Sequence, residues 1–186
     1  MHRLLQVISG LMMAIWPFMV WLSLTHPEWR WLLPVAAALF LLRWLALRGQ
    51  RGALPLVGKW LALAGAGLSL SSLFLREQHL LLWYPVMVNG LMLALFGSSL
   101  FSRMPLVERL ARLREPELPP KAIRWTRQVT QVWCLFFIFN GSIALATCLM
   151  NNLFWWTVWN GLVSYLLMGL LMAGEWLLRQ RMRKQG

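Results

Sequence analysis

Five apolar runs, each longer than twenty residues, decide what this chain can become. They fall at residues 4–24, 54–75, 81–101, 129–150 and 154–178. About 20 mostly apolar residues in a helix cover the hydrocarbon core of a bilayer. Lipid offers no partner for backbone N–H and C=O groups, so a helix is the form such a run takes there. A sixth run, 31–47, is shorter and carries Arg43 near its end; an arginine one turn from the boundary extends its head to the headgroups and keeps the span. Composition agrees, with 59% of the 186 residues hydrophobic and 13% charged, against about 45–50% and about 25% in soluble domains. A soluble enzyme, a disordered chain and a disulfide scaffold are excluded. The expectation is an all-α membrane protein, six transmembrane helices in one compact bundle over 1–186. The 4–24 run reads as a retained first span rather than a signal peptide, because it outlasts a normal h-region and His26-Pro27-Glu28 follows it instead of a small-residue cleavage site.

Charge gives the orientation. The chain has 18 Lys and Arg against 6 Asp and Glu. With six spans, the N-terminus, the 48–53 turn, the 102–128 loop and the C-terminal tail share one side, and that side holds every basic residue except Arg30 and Arg76. Positive residues collect on cytoplasmic loops, so both termini are expected in the cytoplasm. Dropping the second span would put Arg30 through Lys59 on the wrong side. The same rule accounts for a basic excess that would suggest nucleic acid in a soluble chain; no nucleic-acid partner is expected, and the partners are the bilayer and its anionic headgroups. Tryptophans support the boundaries: Trp29, Trp31, Trp83, Trp155 and Trp156 near one, Trp44, Trp60, Trp125 and Trp176 near the other, each placed to anchor at the interface. Cys134 and Cys148 lie fourteen positions apart in one run, ~21 Å along a helix and too far to bridge. Both read as buried apolar residues.

The polar residues within the spans point to packing. Asn89-Gly90, Asn140-Gly141 and Asn160-Gly161 would mark turns in water, but a turn inside lipid leaves backbone groups unpaired. Glycine lets a neighbouring helix approach, and the amide bonds across the contact for about 0.6–2 kcal/mol. Ala62/Ala66, Gly65/Ser69, Gly67/Ser71 and Gly169/Ala173 fit the same logic, with a polar ligand or ion path as the alternative role. The fourth and sixth spans align at an offset of 71, which sets Asn89-Gly90-Leu91 against Asn160-Gly161-Leu162. Glu175 is the one acidic residue in a span, and Arg179 four positions on is its expected partner. A midplane carboxylate is lacking, which counts against a proton-coupled transporter. Pro17 and Pro85 read as a kink or a first-turn proline.

Chemistry is sparse. His26/Glu28 and Glu77/His79 occupy two turns on the non-cytoplasmic side and can in principle bind a metal or move a proton if they meet. Trp155-Trp156-Trp159 can line a ligand site if its rings converge. The sequence contains no Gly-rich phosphate loop, Ser/His/Asp elbow or Cys/His metal spacing, so no catalytic, cofactor-binding or metal-binding residue is assigned and no cofactor is expected. Segment 102–128 is the most informative soluble stretch. Pro105 can open a short helix with Leu106, Leu110 and Leu113 on one face and Glu108, Arg109 and Arg112 on the other, ended by Pro116, Pro119 and Pro120. One reading is an interfacial amphipathic helix in which Arg103, Arg109, Arg112 and Arg114 contact lipid headgroups. The others are a solvated topological loop and a protein docking surface.

The order of motifs at this loop carries a resemblance. Arg103-Met104-Pro105-Leu106, Glu108-Arg109, Leu118-Pro119-Pro120, Trp125, and the run through Trp133, Phe136-Phe137-Ile138, Gly141 and Ala144 resemble the intracellular septation protein A (YciB-like) family. The likeness is clearest over about 85–178. It is nearest to a branch of bacterial membrane proteins, some encoded beside aryl-polyene or fatty-acid-like biosynthesis enzymes. The resemblance implies a bacterial inner-membrane protein linked to envelope integrity, septation or lipid-pigment assembly, and it transfers no catalytic residue. The functional expectation is a non-enzymatic scaffold or accessory subunit for such biogenesis, with envelope or acyl-chain enzymes as partners. The alternatives are a carrier or flippase for a lipid-linked product, with a polar cavity near the Asn-Gly pairs, and a membrane enzyme using the two His/Glu turns.

Overall fold

The computed structural model describes residues 15, 17–29, 31–50, 52–75, 78–113 and 115–184. Residues 4–14 and 16 of the expected first span lie outside the described residues, and its remainder is helical over 17–25 (α1). There follow α2 (Leu32–Leu47), α3 (Ala53–Leu75), a 3-10 turn (Gln78–Trp83), α4 (Tyr84–Leu100), α5 (Leu106–Arg112), α6 (Pro120–Leu149), α7 (Leu153–Val158), a π-turn (Trp159–Val163) and α8 (Ser164–Lys184). Among the described residues there is no strand. Among the described residues, three helices are long and apolar enough to cross a membrane: Leu80–Leu100, Pro120–Leu149 and Leu153–Arg181, with 21, 30 and 29 residues. These are the elements expected of a membrane-embedded protein. α2 is shorter, and its 16 residues rise ~24 Å.

Proline marks where helices begin. Pro34, Pro55, Pro85 and Pro120 all fall within the first three residues of α2, α3, α4 and α6. Backbone N–H groups of a first turn have no intrahelical partner, so a residue lacking one costs nothing there. α6 starts nine residues before its apolar run, so the loop expected over 102–128 ends at Pro119 instead. Extended Pro119 (ψ 153°) precedes Pro120 at the helix start; a residue before proline is pushed out of the helical region, while proline itself is preset for a first turn.

Two antiparallel pairings dominate. In the α2–α3 pair, the Phe40 ring lies over Gly65, where a Cβ would come within 2.6 Å of it, and Leu47 lies over Gly58. In the α4–α6 pair, Asn89 meets Asn140, Phe96 meets Trp133 and Phe137, and the Leu100 carbonyl accepts from Arg127. Val20, Ala36, Phe40, Ala62, Leu81, Tyr84, Cys148 and Trp156 join in one core, which draws α1, α2, α3, α6 and α7 together at the end of α6 remote from α5.

Trp156 corrects an expectation. It is fully buried, and its indole N–H donates to the Leu82 carbonyl at 3.0 Å, so it belongs to the core and not to an interfacial belt. Trp29, Trp31, Trp60, Trp83, Trp155 and Trp176 are exposed. Cys134 and Cys148 are free and buried.

Candidate functional site

The asparagines form a hydrogen-bonded network around α6. Asn140 Nδ2 donates to Asn89 Oδ1 at 3.1 Å, and Asn140 Oδ1 accepts from Trp159 Nε1 at 3.1 Å. Seven residues further on, the same face of α6 offers Thr147 Oγ1 to Asn160 Nδ2 at 3.4 Å. The 71-residue offset reappears in detail: Asn89 donates to the Pro85 carbonyl and Asn160 to the Trp156 carbonyl, each four residues back, at 2.8 and 2.9 Å. Local structure then diverges. Ser164 Oγ also takes the Asn160 carbonyl, and the Ser164 backbone N–H passes to Trp159, giving a π-turn where α4 stays regular. Asn160 Oδ1 has no hydrogen-bond partner among the described residues.

The paired glycines do not behave alike. A Cβ on Gly141 would come within 3.0 Å of Asn89 Cβ, and one on Gly161 within 3.3 Å of the Phe18 ring. At Gly90 and Gly169 it would meet nothing within 4 Å, so among the described residues no neighbour packs onto those two. The cavities described below lie away from the Asn-Gly pairs. Trp155, Trp156 and Trp159 do not converge either: Trp155 is exposed against Phe154, Trp156 turns to Leu82 and Trp159 to Asn140. His26 Nδ1 and Glu28 Oε1 lie 3.1 Å apart with both side chains largely exposed. Glu77 lies outside the described residues, as does the side chain of His79. Among the described residues no group of three His, Cys, Asp or Glu is placed to hold a metal.

α5 is present as expected after Pro105, but its burial does not follow the two expected faces. Leu106 and Glu108 are buried, whereas Leu110 and Leu113 are exposed. The cause lies in what α5 is tied to. Ser99 Oγ at the end of α4 accepts the Leu106 N–H at 2.9 Å, which turns this side of α5 inward. Glu108 is 2% exposed and is neutralised by Arg112 at 2.8 Å. The Arg112 guanidinium also donates to the Pro116 carbonyl, and Arg109 donates to the Met104 carbonyl and Ser102 Oγ. Arg109 and Arg112, expected on lipid headgroups, make these bonds within the loop. Arg103 is exposed, and Arg114 lies outside the described residues. Phe101 and Leu113, 95% and 81% exposed, stand out with Met104 and Leu110 as an uncovered apolar surface.

Beside this loop runs a groove between α6 and α8. Its mouth, a cavity of about 300 Å³, is bounded by Val107 and Ala111 of α5, Glu115, Lys121 and Trp125, and by Glu175 and Arg179 of α8. A second cavity of about 220 Å³ continues it between Val129, Val132 and Trp133 on one side and Leu170, Leu171 and Gly174 on the other, sharing Trp125 and Glu175 with the first. Trp133 is set by the rings of Phe96, Phe136 and Phe137, 5.7–6.2 Å away, and its indole N–H reaches Glu175 Oε2 at 3.4 Å. The expected Glu175–Arg179 pair does not form; Arg179 turns to Glu115 at 3.6 Å. Local spacing favours an i,i+4 partner, but Trp133 and Glu115 become neighbours only once α6 and α8 fold back on each other. Trp133, Glu115, Lys121 and the buried Glu108 are residues that sequence reasoning did not single out for this site.

Comparison with known proteins returns no match: no family model, no curated protein and no solved structure aligns with this chain.

Proposed function

We propose that this chain is a six-span protein of the bacterial inner membrane, with both termini in the cytoplasm. In this reading it is a non-enzymatic scaffold or accessory subunit for cell-envelope or lipid-pigment biogenesis. The observation that carries the reading is the braced α5 surface. Phe101, Met104, Leu110 and Leu113 are exposed beside Arg103 and Arg109, and the helix behind them is fixed by Ser99, Glu108 and Arg112. An apolar patch rimmed by charge on a rigid support is what an interaction site needs. The basic asymmetry of the sequence places that surface in the cytoplasm. The family resemblance supplies the envelope setting and nominates acyl-chain enzymes as the docking partners.

A photo-crosslinking residue at Leu113 in intact membranes tests this. Crosslinks to specific envelope or acyl-chain biosynthesis enzymes, lost in Phe101→Ser/Leu110→Ser, are the expected result. Recovery of nothing beyond bulk membrane proteins and lipid would contradict it.

A further inference from the structure

We propose that the groove between α6 and α8 binds one membrane phospholipid bearing a primary-amine headgroup, an assignment independent of what docks on α5. The acyl chain lies in the trough, and the phosphate and ammonium lie on the charged mouth.

The trough meets the first requirement. Val129, Val132, Leu170, Leu171 and Leu178 line it, on two helices long and apolar enough to cross a membrane. The Leu153–Arg181 helix is the least covered of the three, with 11% of its most apolar stretch buried inside the chain. At Gly174 a Cβ would meet nothing within 4 Å among the described residues, so there the trough is open where a side chain would otherwise narrow it. The mouth cavity, about 300 Å³, is at the lower edge of small-ligand sites, about 300–1,000 Å³, and the adjoining trough adds about 220 Å³.

Charge selects the headgroup. The mouth carries two cations, Lys121 and Arg179, and two carboxylates, Glu115 and Glu175. A purely anionic headgroup would meet both carboxylates there, whereas a zwitterion meets both signs. Glu175 is half-buried, and among the described residues its one hydrogen bond is from the Trp133 indole at a long 3.4 Å. An ionised carboxylate accepts several bonds, and a primary ammonium has three N–H groups to give. A quaternary ammonium has none, so the site distinguishes ethanolamine from choline lipids. Arg179 and Glu115 are more than a third exposed and 3.6 Å apart. Such a pair is weak, and both groups can exchange each other for phosphate and ammonium without loss of charge balance.

Native mass spectrometry of the full chain tests this with an equimolar mixture of phosphatidylethanolamine, phosphatidylcholine and phosphatidylglycerol of identical acyl chains. The wild-type protein should retain the ethanolamine lipid about tenfold over the choline lipid, the factor one charge-assisted hydrogen bond supplies. Glu175→Gln should bring that ratio close to one while lipid is still retained. Gly174→Phe should expel all three lipids with helix content unchanged. Equal retention of ethanolamine and choline lipids by the wild type, preference for the glycerol lipid, or undiminished retention by Gly174→Phe would each overturn the assignment.

Discussion

Asn140 is held from two sides, and its removal strands both partners. Asn140→Leu leaves Asn89 Oδ1 and the Trp159 N–H unpaired in a buried setting, at an expected cost of about 1–3 kcal/mol. Asn160→Leu should cost clearly less. Its Oδ1 already lacks a partner, and its shorter bond goes to a carbonyl of its own helix. Thermal unfolding of the two variants in one detergent ranks them, and equal losses would contradict the network. At this scale the sequence announced that asparagines inside apolar runs make helix contacts but not which contacts. Asn89 and Asn140 are 51 residues apart, and Trp133 and Glu175 are 42 apart. Trp156 was misread for a related reason: position along a helix gives a tryptophan its depth, and only packing says whether it faces the core.

Elements were more legible, because their signals are local. Apolar runs mark α2, α3, α4 and α6, Pro85 marks the first turn of α4 and Pro105 marks α5, whereas Pro120, read as ending α5, instead opens α6. What failed was facing. The α5 pattern put Leu106, Leu110 and Leu113 on one face and Glu108 with the arginines on the other, yet Leu106 and Glu108 are the buried pair, held by Ser99 and by the Glu108–Arg112 pair. Removing that pair should loosen the segment. Glu108→Ala frees Arg112 and its hold on Pro116, and trypsin should then cut between 112 and 121 roughly tenfold faster, corresponding to local opening eased by about 1.4 kcal/mol. An unchanged rate would mean the pair does not brace the loop. Glycines give a sharper contrast. Gly65→Ala puts a Cβ 2.6 Å from Phe40, itself 3% exposed and packed in the core, and should destabilise by about 1–3 kcal/mol. Gly90→Ala meets nothing and should be neutral or stabilising by up to about 1 kcal/mol through helix propensity. Chemical unfolding in mixed micelles separates the two, and a Gly65→Ala protein as stable as Gly90→Ala would contradict the α2–α3 packing.

For the whole molecule, the central claim is a chain threaded six times through the bilayer with its basic segments together on the inner side. Three helices long and apolar enough to cross a membrane among the described residues, and the antiparallel pairings of α2 with α3 and α4 with α6, are compatible with that path. The distribution of Lys and Arg along the sequence is what gives it direction. Labelling of single introduced cysteines by a membrane-impermeant thiol reagent tests it most directly, and the native Cys134 and Cys148 are buried and leave little background. Cysteines placed at Glu28 and Asn151 should react in intact cells, and cysteines placed at Leu113 and Arg181 only after the membrane is opened. Residues 113 and 181 reacting from opposite sides would contradict the account.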